Sequence, residues 1–400
     1  MGKKLIIKKM KQSIVSALYE DGQMIQVNVD PIEEVSLFGN IYVGKVKNIV
    51  KNINAAFVEI EEKKMCYLSL AEANSPIYVS KPNEKICIGD EFLVQISKED
   101  VKTKAPVCTT NLSFTGKYVV LVHKKGRVGI SSKIEEEEER KRLKKVVAPY
   151  LSDDYGLVIR TNAMEAEDTL IIEELRSLIC DYQRLKEQGI YRSRFSLVYR
   201  MPRAYLCAIR DSFSKDINAI ITDDSEIYEQ MKEYLNQNQQ EDLDKLTFYQ
   251  DLQLPLDKLY SMEHKLANAL KERVWLDCGG YLVIQPTEAL TVIDVNTGKA
   301  VSKKKQVQET FLKVNLEAAK EIAKQIRLRN LSGIIIVDFI DMESRKDKQL
   351  LMSTLESFLK TDPIRTTLVD MTALNLVEIT RKKVRKPLLE QMNQTIESER

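Results

Sequence analysis

The fold is decided by two apolar stretches in the last third of the chain, ALTVIDVNTGK at residues 289–299 and SGIIIVDFIDM at residues 332–342. Each is apolar almost throughout, which is typical of a buried strand in a parallel sheet. The segment between them repeats apolar residues at steps of three and four, the period of an amphipathic helix, at Val307, Phe311, Val314, Ala318, Ile322 and Ile326. The three segments predict a β-α-β unit with parallel strands and a right-handed crossover.

An acidic side chain occurs at the end of each predicted strand, Asp294 in the first and Asp338 in the second. Parallel strands end at one edge of a sheet, where α/β folds place their active sites, so we expect the two carboxylates to meet there. Asn296 lies two residues beyond Asp294 and should point to the same side. Two carboxylates and an amide are hard oxygen donors, and they predict a Mg²⁺ site.

The alternative is that both acids only terminate their strands. This fits the sequence less well, because a carboxylate beside buried apolar strands costs free energy unless it is paired, hydrogen-bonded or bound to a metal. Asp341 would face away from Asp338 in a regular strand, so we expect it to have a supporting or structural role.

Charge and composition exclude several classes of protein. The 400 residues include 61 Lys and Arg against 59 Asp and Glu, a net charge of +2. A polyanion-binding surface must therefore be local. The basic residues that we expect around the carboxylate edge are Lys299, Lys303, Lys304, Lys305 and Arg365. Only two histidines are present, which argues against a histidine-based catalytic triad or metal site.

The cysteines and the apolar runs indicate a cellular location. None of the six cysteines stands in a C-x-x-C pair, which excludes zinc ribbons and thioredoxin-type motifs and indicates reduced thiols. The N-terminal apolar run is too short for a signal peptide, and no uncharged run is long enough to span a bilayer. We therefore expect a cytoplasmic protein with no membrane partner.

The first half of the chain contains two further candidate sites. Short strands from Asn40 onward predict a small barrel, in which Phe57 and Tyr67 either stack on the bases of single-stranded nucleic acid or fill the core. The strand GLVIRT at residues 156–161 ends in Arg160 and Thr161, whose guanidinium and hydroxyl either match the oxygens of a bound phosphate or simply terminate the strand, where these residue types are common.

These motifs together resemble the ribonuclease E/G family. The segments that carry the resemblance are NIYVGKV, NAAFVEI, GLVIRT, IDVNTGK and the run NLEAAKEIAKQIRLRNLSGIIIVDFIDM, in this order along the chain. The resemblance implies an α+β, multidomain fold. A ribonuclease-H-like subdomain (residues 1–35 and 208–272) would be interrupted by an OB-fold RNA-binding barrel of the S1 type (36–115) and a 5′-sensor unit (116–207). A deoxyribonuclease-I-like catalytic subdomain (273–400) would follow.

The resemblance also assigns residues to sites. It implies that Asp294 and Asp338 bind Mg²⁺, with Asn296 as the matching amide, and that water attacks the scissile phosphate. The 5′-monophosphate pocket of the family corresponds to Arg160, Thr161, Gly116 and Val120. Phe57, Tyr67 and Lys104 match RNA-contacting positions of the barrel, and Arg365 matches a basic residue near the catalytic site.

The function implied is a Mg²⁺-dependent endoribonuclease that cuts single-stranded RNA in ribosomal RNA processing or messenger RNA decay and prefers 5′-monophosphorylated ends. The alternatives are a noncatalytic RNA-binding or ribosome-associated adaptor and a nuclease acting on DNA. The sequence contains no C-P-x-C motif, so a zinc-linked dimer is not supported and the oligomeric state stays open.

Overall fold

A computed structural model describes residues 2–32, 36–79, 83, 85–99, 105–124, 126–212, 217–299 and 307–397, with side chains up to residue 393. The chain divides into two compact units. The first comprises residues 1–34, 215–233 and 241–400, and the second comprises residues 35–214 and 234–240. Among the described helices, none combines the length and hydrophobicity needed to cross a membrane.

The strands of the described residues are short to medium in length. In chain order they are β1 (Lys3–Met10), β2 (Ser13–Glu20), β3 (Gln23–Pro31), β4 (Ile41–Val50), β5 (Ala55–Glu61), β6 (Lys64–Ser69), β7 (Glu91–Lys98), β8 (Val107–Thr109), β9 (Ser113–Thr115), β10 (Val119–His123), β11 (Val128–Ile130), β12 (Tyr155–Ile159), β13 (Leu197–Tyr199), β14 (Ile217–Thr222), β15 (Leu246–Phe248), β16 (Arg273–Trp275), β17 (Tyr281–Pro286), β18 (Leu290–Asn296), β19 (Gly333–Asp338), β20 (Thr366–Met371) and β21 (Leu376–Arg381).

The α-helices range from a single turn to about six turns. In chain order they are α1 (Glu137–Val147), α2 (Asp168–Gln188), α3 (Ala204–Asp211), α4 (Ser225–Asn238), α5 (Leu256–Leu259), α6 (Met262–Ala269), α7 (Val307–Leu328), α8 (Arg345–Leu359) and α9 (Leu388–Glu397). The predicted mixed α+β fold with several sheets is confirmed.

The second unit contains the predicted barrel. Its strands follow the order β4, β5, β6, β8 and β7, and a direct pairing of β4 with β7 closes the ring. Closure leaves no free edge among these five strands. The barrel interior is filled by aliphatic and aromatic side chains that are almost completely buried, among them Val46, Val58, Leu68 and Phe92.

The second unit also contains a four-stranded sheet in the order β11, β12, β10 and β9, against which α2 packs. Its core includes Phe114 and Tyr182, whose rings meet edge to face at 6.2 Å. His123 is buried beside them, with Nδ1 2.8 Å from the Tyr182 hydroxyl and Nε2 3.0 Å from the Ser75 carbonyl oxygen.

The first unit contains two sheets. One has the order β15, β14, β1, β2 and β3, so that strands from the start of the chain pair with strands from residues 217–248. The other has six strands in the order β16, β17, β18, β19, β21 and β20. The core between this sheet and α7 and α8 is made by alternate strand residues such as Ile293, Val295, Ile335 and Val337. The residues between them point to the opposite face, which carries the carboxylates.

Candidate active site

The predicted parallel pairing of β18 and β19 is present, and it places Asp294 directly opposite Asp338. Both carboxylates are exposed at the carboxyl end of their strands. The Asn296 side-chain amide donates a hydrogen bond of 2.7 Å to Oδ2 of Asp294. The structure therefore brings Asp294, Asn296 and Asp338 together at one edge of the sheet.

Asp338 lies in an electrostatically unfavourable place. Partial burial raises the pKa of its carboxyl group, and the negative charges of Asp294 and Asp341 raise it further. The expectation that Asp341 faces away required β19 to continue, but the strand ends at Asp338, so strand alternation does not apply to Asp341. Instead, Asp341 Oδ1 accepts a hydrogen bond of 3.1 Å from Asn375. Asp341 is thus tied to Asn375, and its negative charge contributes to the raised pKa of Asp338.

The donor set fits a divalent cation. Within the described part of the chain, no Lys or Arg side chain forms an ion pair with Asp294, Asp338 or Asp341, so their mutual repulsion is not offset by a protein cation. That same part contains no group of three or more His, Cys, Asp or Glu side chains arranged to hold a metal. Mg²⁺ commonly uses one or two carboxylates and completes its shell with water and substrate phosphate, so a carboxylate pair suffices.

Gly298 shapes the loop that follows the first carboxylate. Its φ is +53°, and a Cβ atom there would lie 2.4 Å from the carbonyl oxygen of Gly279. Only glycine permits both this backbone conformation and this close approach. The turn leads to the exposed Lys299, whose N–H lies 3.3 Å from the same carbonyl oxygen. Steric constraints therefore explain why the IDVNTGK motif has a glycine at position 298.

Sequence reasoning missed Asn315, which is fully buried on α7. Its amide nitrogen donates to the Ile340 carbonyl at 2.8 Å, and its amide oxygen accepts from the Ile340 N–H at 3.1 Å. Both polar atoms of the side chain thereby bind the segment that links Asp338 to Asp341. The available signal was an asparagine between the apolar neighbours Leu312 and Ala319 on one helix face.

Arg365 does not lie at the carboxylate edge, contrary to the expectation. It precedes β20, and Thr366 pairs with Arg381, which in turn pairs with Gly333 at the start of β19. Asp338 is five residues further along that strand, a distance of about 17 Å. Because β21 is antiparallel to both β19 and β20, β20 runs parallel to β19 and begins at the end of the sheet away from Asp338. Lys303, Lys304 and Lys305 lie outside the described residues.

The candidate phosphate pocket in the second unit is built around Arg160. Its guanidinium donates to the carbonyl oxygen of Gly116 and, at 2.8 Å, to the carboxylate of Asp211. The neighbouring Thr161 hydroxyl lies 2.9 Å from the hydroxyl of Ser131. The structure thus brings Arg160, Thr161 and Gly116 together, while Val120 is half-buried on β10.

Asp211 connects two arginines beside this pocket. It pairs with Arg160 and also with the buried Arg210, at 3.0 Å from Nε and 3.1 Å from an Nη atom. Sequence reasoning did not identify Asp211 or Arg210, because residues 160 and 211 meet only through tertiary packing. The carboxylate fixes the position of the Arg160 side chain.

The Glu174 side chain of α2 binds the backbone N–H groups that follow Gly116. Its carboxylate accepts hydrogen bonds from the N–H groups of Lys117, Tyr118 and Val119, at 2.5 to 2.8 Å. Burial nevertheless raises the pKa of Glu174 above the usual glutamate value. A Cβ atom on residue 116 would lie 2.3 Å from the Glu174 carboxyl carbon, which explains the glycine. These three N–H groups are therefore already occupied by Glu174 and are not available to another acceptor.

On the barrel, Phe57 and Tyr67 lie opposite each other on β5 and β6. Their rings meet edge to face at 6.2 Å, and both side chains are half-buried. Neither belongs to the barrel core, so the alternative that these two aromatics fill the core is wrong. Lys104 lies outside the described residues.

An accessible aromatic pair on a barrel is typical of proteins that bind single-stranded nucleic acid, and a carboxylate pair at a sheet edge is compatible with hydrolysis assisted by a metal ion. Comparison with known proteins supports this class. The profile of the S1 RNA binding domain matches residues 38–110, and that of the ribonuclease E/G family matches residues 113–384. The chain belongs to the ribonuclease E/G family.

Individual relatives agree with the family match. The chain is 33% identical over 383 residues to ribonuclease G of Haemophilus influenzae, covering 93% of this chain and 78% of that protein. It is 32% identical to ribonuclease G of Escherichia coli strain K12, covering 92% and 78% respectively. It is 33% identical to ribonuclease E of a Nostoc species, covering 96% of this chain and 56% of that longer protein.

Proposed function

We propose that this protein is an endoribonuclease that cleaves single-stranded RNA during RNA processing or decay. The observation that carries the proposal is the register of β18 and β19, which sets Asp294 opposite Asp338 and beside Asn296. Family membership supports the same reaction class, hydrolysis of RNA phosphodiester bonds.

We further propose that the reaction depends on Mg²⁺, which Asp294 and Asp338 would hold. When bound, Mg²⁺ supplies Lewis-acid stabilisation of the phosphate charge and lowers the pKa of a bound water. Asn296 orients the Asp294 carboxylate through its hydrogen bond, and Asn315 holds the backbone just beyond Asp338. Uncompensated carboxylates at an exposed edge support this assignment, because a divalent cation would relieve their repulsion.

The preference for 5′-monophosphorylated RNA is part of the proposal. Arg160 and Thr161 would bind the terminal phosphate, since a guanidinium and a hydroxyl match phosphate oxygens. We expect Arg160→Ala to bring the rates on 5′-monophosphate and 5′-hydroxyl RNA close together, with the loss in KM rather than kcat. A rate ratio equal to that of the unaltered protein would refute the sensor role.

Several finer assignments rest on the family resemblance. We propose that Phe57 and Tyr67 stack on RNA bases, that Lys104 and Arg365 contact RNA, and that Val120 and Gly116 line the phosphate pocket. The five-segment subdomain division and a cytoplasmic location belong to the same proposal. The six cysteines form no disulfide, which supports a reducing compartment, where disulfides are rare.

The central test compares Asp294→Asn and Asp338→Asn with the matched control Asp370→Asn, an exposed aspartate on β20 of the same sheet. A fluorescent 5′-monophosphorylated A/U-rich RNA is incubated with Mg²⁺ or with EDTA. We expect internal cuts that need both metal and the carboxylate pair, with a rate loss of about 10³-fold if several kcal/mol of stabilisation disappear.

RNA binding by fluorescence anisotropy and unfolding by circular dichroism serve as controls, and both should be unchanged in the three variants. Full cleavage by Asp338→Asn would refute the site. Binding without cleavage under every metal condition would favour the noncatalytic adaptor.

A further inference from the structure

An exposed aromatic pair lies on the same sheet as the carboxylates. Trp275 on β16 is 61% exposed, and it pairs across the strands with Tyr281 on β17. The two ring centroids are 5.2 Å apart. The Arg273 guanidinium lies 4.5 Å from the centroid of Tyr281 and 5.9 Å from that of Trp275. Three side chains thus form one aromatic and cationic cluster, called here the Trp275 cluster.

Strand register places the Trp275 cluster on the face that carries the carboxylates. Tyr281 pairs with Trp275 on one side and with Asn296 on the other. Residues opposite each other in adjacent strands project from the same face of a sheet. With strands spaced about 4.8 Å apart, Trp275 stands two strands, or about 10 Å, from Asn296. The cluster and the candidate active site therefore share one continuous surface.

Packing does not explain this cluster. The core of the sheet lies on the other face, where Leu282, Ile284, Ile293 and Val295 are buried. A tryptophan exposed to this extent contributes little to the core, and proteins that bind single-stranded nucleic acid use exposed aromatic rings as platforms for unpaired nucleobases. Stacking is tolerant of base identity and contributes to binding one base at a time.

The charge beside Trp275 suits the same ligand. A groove of about 320 Å³ lies at the edge of the sheet beside β16 and extends toward α7 on the core side, and its lining includes Trp275, Arg273, Lys265, Lys271 and Lys324. The positive side chains complement the phosphates of a polyanion. An aromatic surface bordered by positive charge matches single-stranded RNA, which offers both bases and phosphates.

We propose that Arg273, Trp275 and Tyr281 form a base-stacking subsite for single-stranded RNA next to the cleavage site. A nucleobase flanking the scissile phosphate stacks on Trp275, and the basic groove takes the adjoining phosphates. This subsite rests on the proposed function and goes beyond it, because it assigns substrate contacts outside the barrel, the phosphate pocket and the carboxylates.

The sequence offers a direct probe, because Trp275 is the only tryptophan of the chain. Its emission is measured on the full chain, without divalent metal, while a single-stranded A-rich RNA is added. We expect saturable quenching with the same midpoint as binding followed by anisotropy. A blunt RNA duplex of equal length should leave the emission unchanged, because its bases are already stacked.

Kinetics provide the second measurement. Trp275→Ala should raise KM about 5- to 150-fold, the loss of one stacked base, with little change in kcat. Trp275→Phe should restore most of the affinity, since phenylalanine also stacks. Leu252→Ala is the matched control, because Leu252 is 95% exposed and lies outside the cluster.

The outcomes separate this subsite from the proposed function. If the protein cleaves and binds RNA while Trp275 emission and the KM of Trp275→Ala stay unchanged, the subsite is refuted and the endoribonuclease assignment stands. Quenching without any cleavage supports the subsite and refutes the endoribonuclease. A change of oligomeric state in Trp275→Ala without a change in KM refutes the subsite in favour of contact with a second copy of the chain.

Discussion

Replacing Asn315 with leucine should lower the cleavage rate, because the backbone segment that follows Asp338 loses the side chain that holds it. The side chain is fully buried, and both of its polar atoms bind the backbone of Ile340, at 2.8 Å and 3.1 Å. Leucine is similar in size but makes neither bond, so the N–H and C=O of Ile340 lose their partner. An unsatisfied buried group costs about 1–3 kcal/mol. The greater burial of apolar atoms offsets part of this, and we expect unfolding free energy to fall by about 2–4 kcal/mol.

The expected effect on the cleavage rate follows from the position of Ile340 next to the candidate active site. Ile340 is two residues from Asp338, and a shift of about 1 Å in a catalytic group can cost on the order of 10²-fold in rate. We expect Asn315→Leu to lower kcat about 10- to 100-fold with KM for RNA unchanged, because no RNA-contacting side chain is altered. Cleavage is measured well below the melting temperature, and stability is measured by urea unfolding.

A matched control comes from the other end of β19. Asn330 is also buried, and its amide binds the carbonyl oxygens of Arg385 and Lys386 and the guanidinium of Arg381. Asn330→Ala should lose comparable stability while keeping kcat, since it lies far from the carboxylates. The positioning role is refuted if Asn315→Leu is destabilised but cleaves within about twofold of the normal rate, or if both variants lose kcat equally.

Three further predictions concern stability and the phosphate pocket. Burial lowers the pKa of His123 in the folded chain, so the unfolded chain binds more protons below pH about 6.5 and stability falls as the pH decreases, by at most about 1.4 kcal/mol per pH unit. His123→Asn should remove this slope in urea unfolding at pH 5.5 and 7.5, and an unchanged slope would contradict the assignment. Asp211→Asn should reduce the preference for 5′-monophosphate RNA, because Arg160 loses a partner that fixes it; a preference left intact in paired cleavage assays would count against this. Asp362→Ala should cost about 3–5 kcal/mol by leaving Arg381 charged and buried, whereas a loss under about 1 kcal/mol in thermal unfolding would show that the pair contributes little.

The local sequence pattern was sufficient to predict the carboxylate pair at the centre of the candidate active site. Two apolar strands joined by an amphipathic helix admit few arrangements, and parallel pairing necessarily brings their carboxyl ends to one edge. Asp294 and Asp338 therefore became neighbours in the prediction, and their observed register agrees with it. The barrel was predicted in the same way, from closely spaced strands. The sequence did not show which aromatic side chains point outward; the structure shows that Phe57 and Tyr67 lie outside the barrel core.

The sequence did not predict the position of a residue where that position depends on how strands distant in sequence are ordered and directed in the sheet. Arg365 follows α8, and no nearby sequence feature indicates that β20 pairs with β21 and runs parallel to β19. The location of Arg365 just before β20 could therefore not be predicted. The end of β19 at Asp338 was also not predictable, because the apolar residues Phe339, Ile340 and Met342 continue the run, whereas in the structure the side chain of Asn315 binds both backbone groups of Ile340. In each case a partner distant in sequence decides the geometry.

By itself, the sequence determined the family, the class of fold and the pair of carboxylates, because these follow from periodicity, composition and a motif order that extends along the chain. The surroundings of these carboxylates and of the phosphate pocket depend on tertiary contacts. The Asp211 link between two arginines, the Glu174 carboxylate on three backbone N–H groups and the row from Trp275 through Tyr281 to Asn296 join residues through packing and strand register. Such contacts arise from the free energy of the whole fold, which no local stretch of sequence encodes.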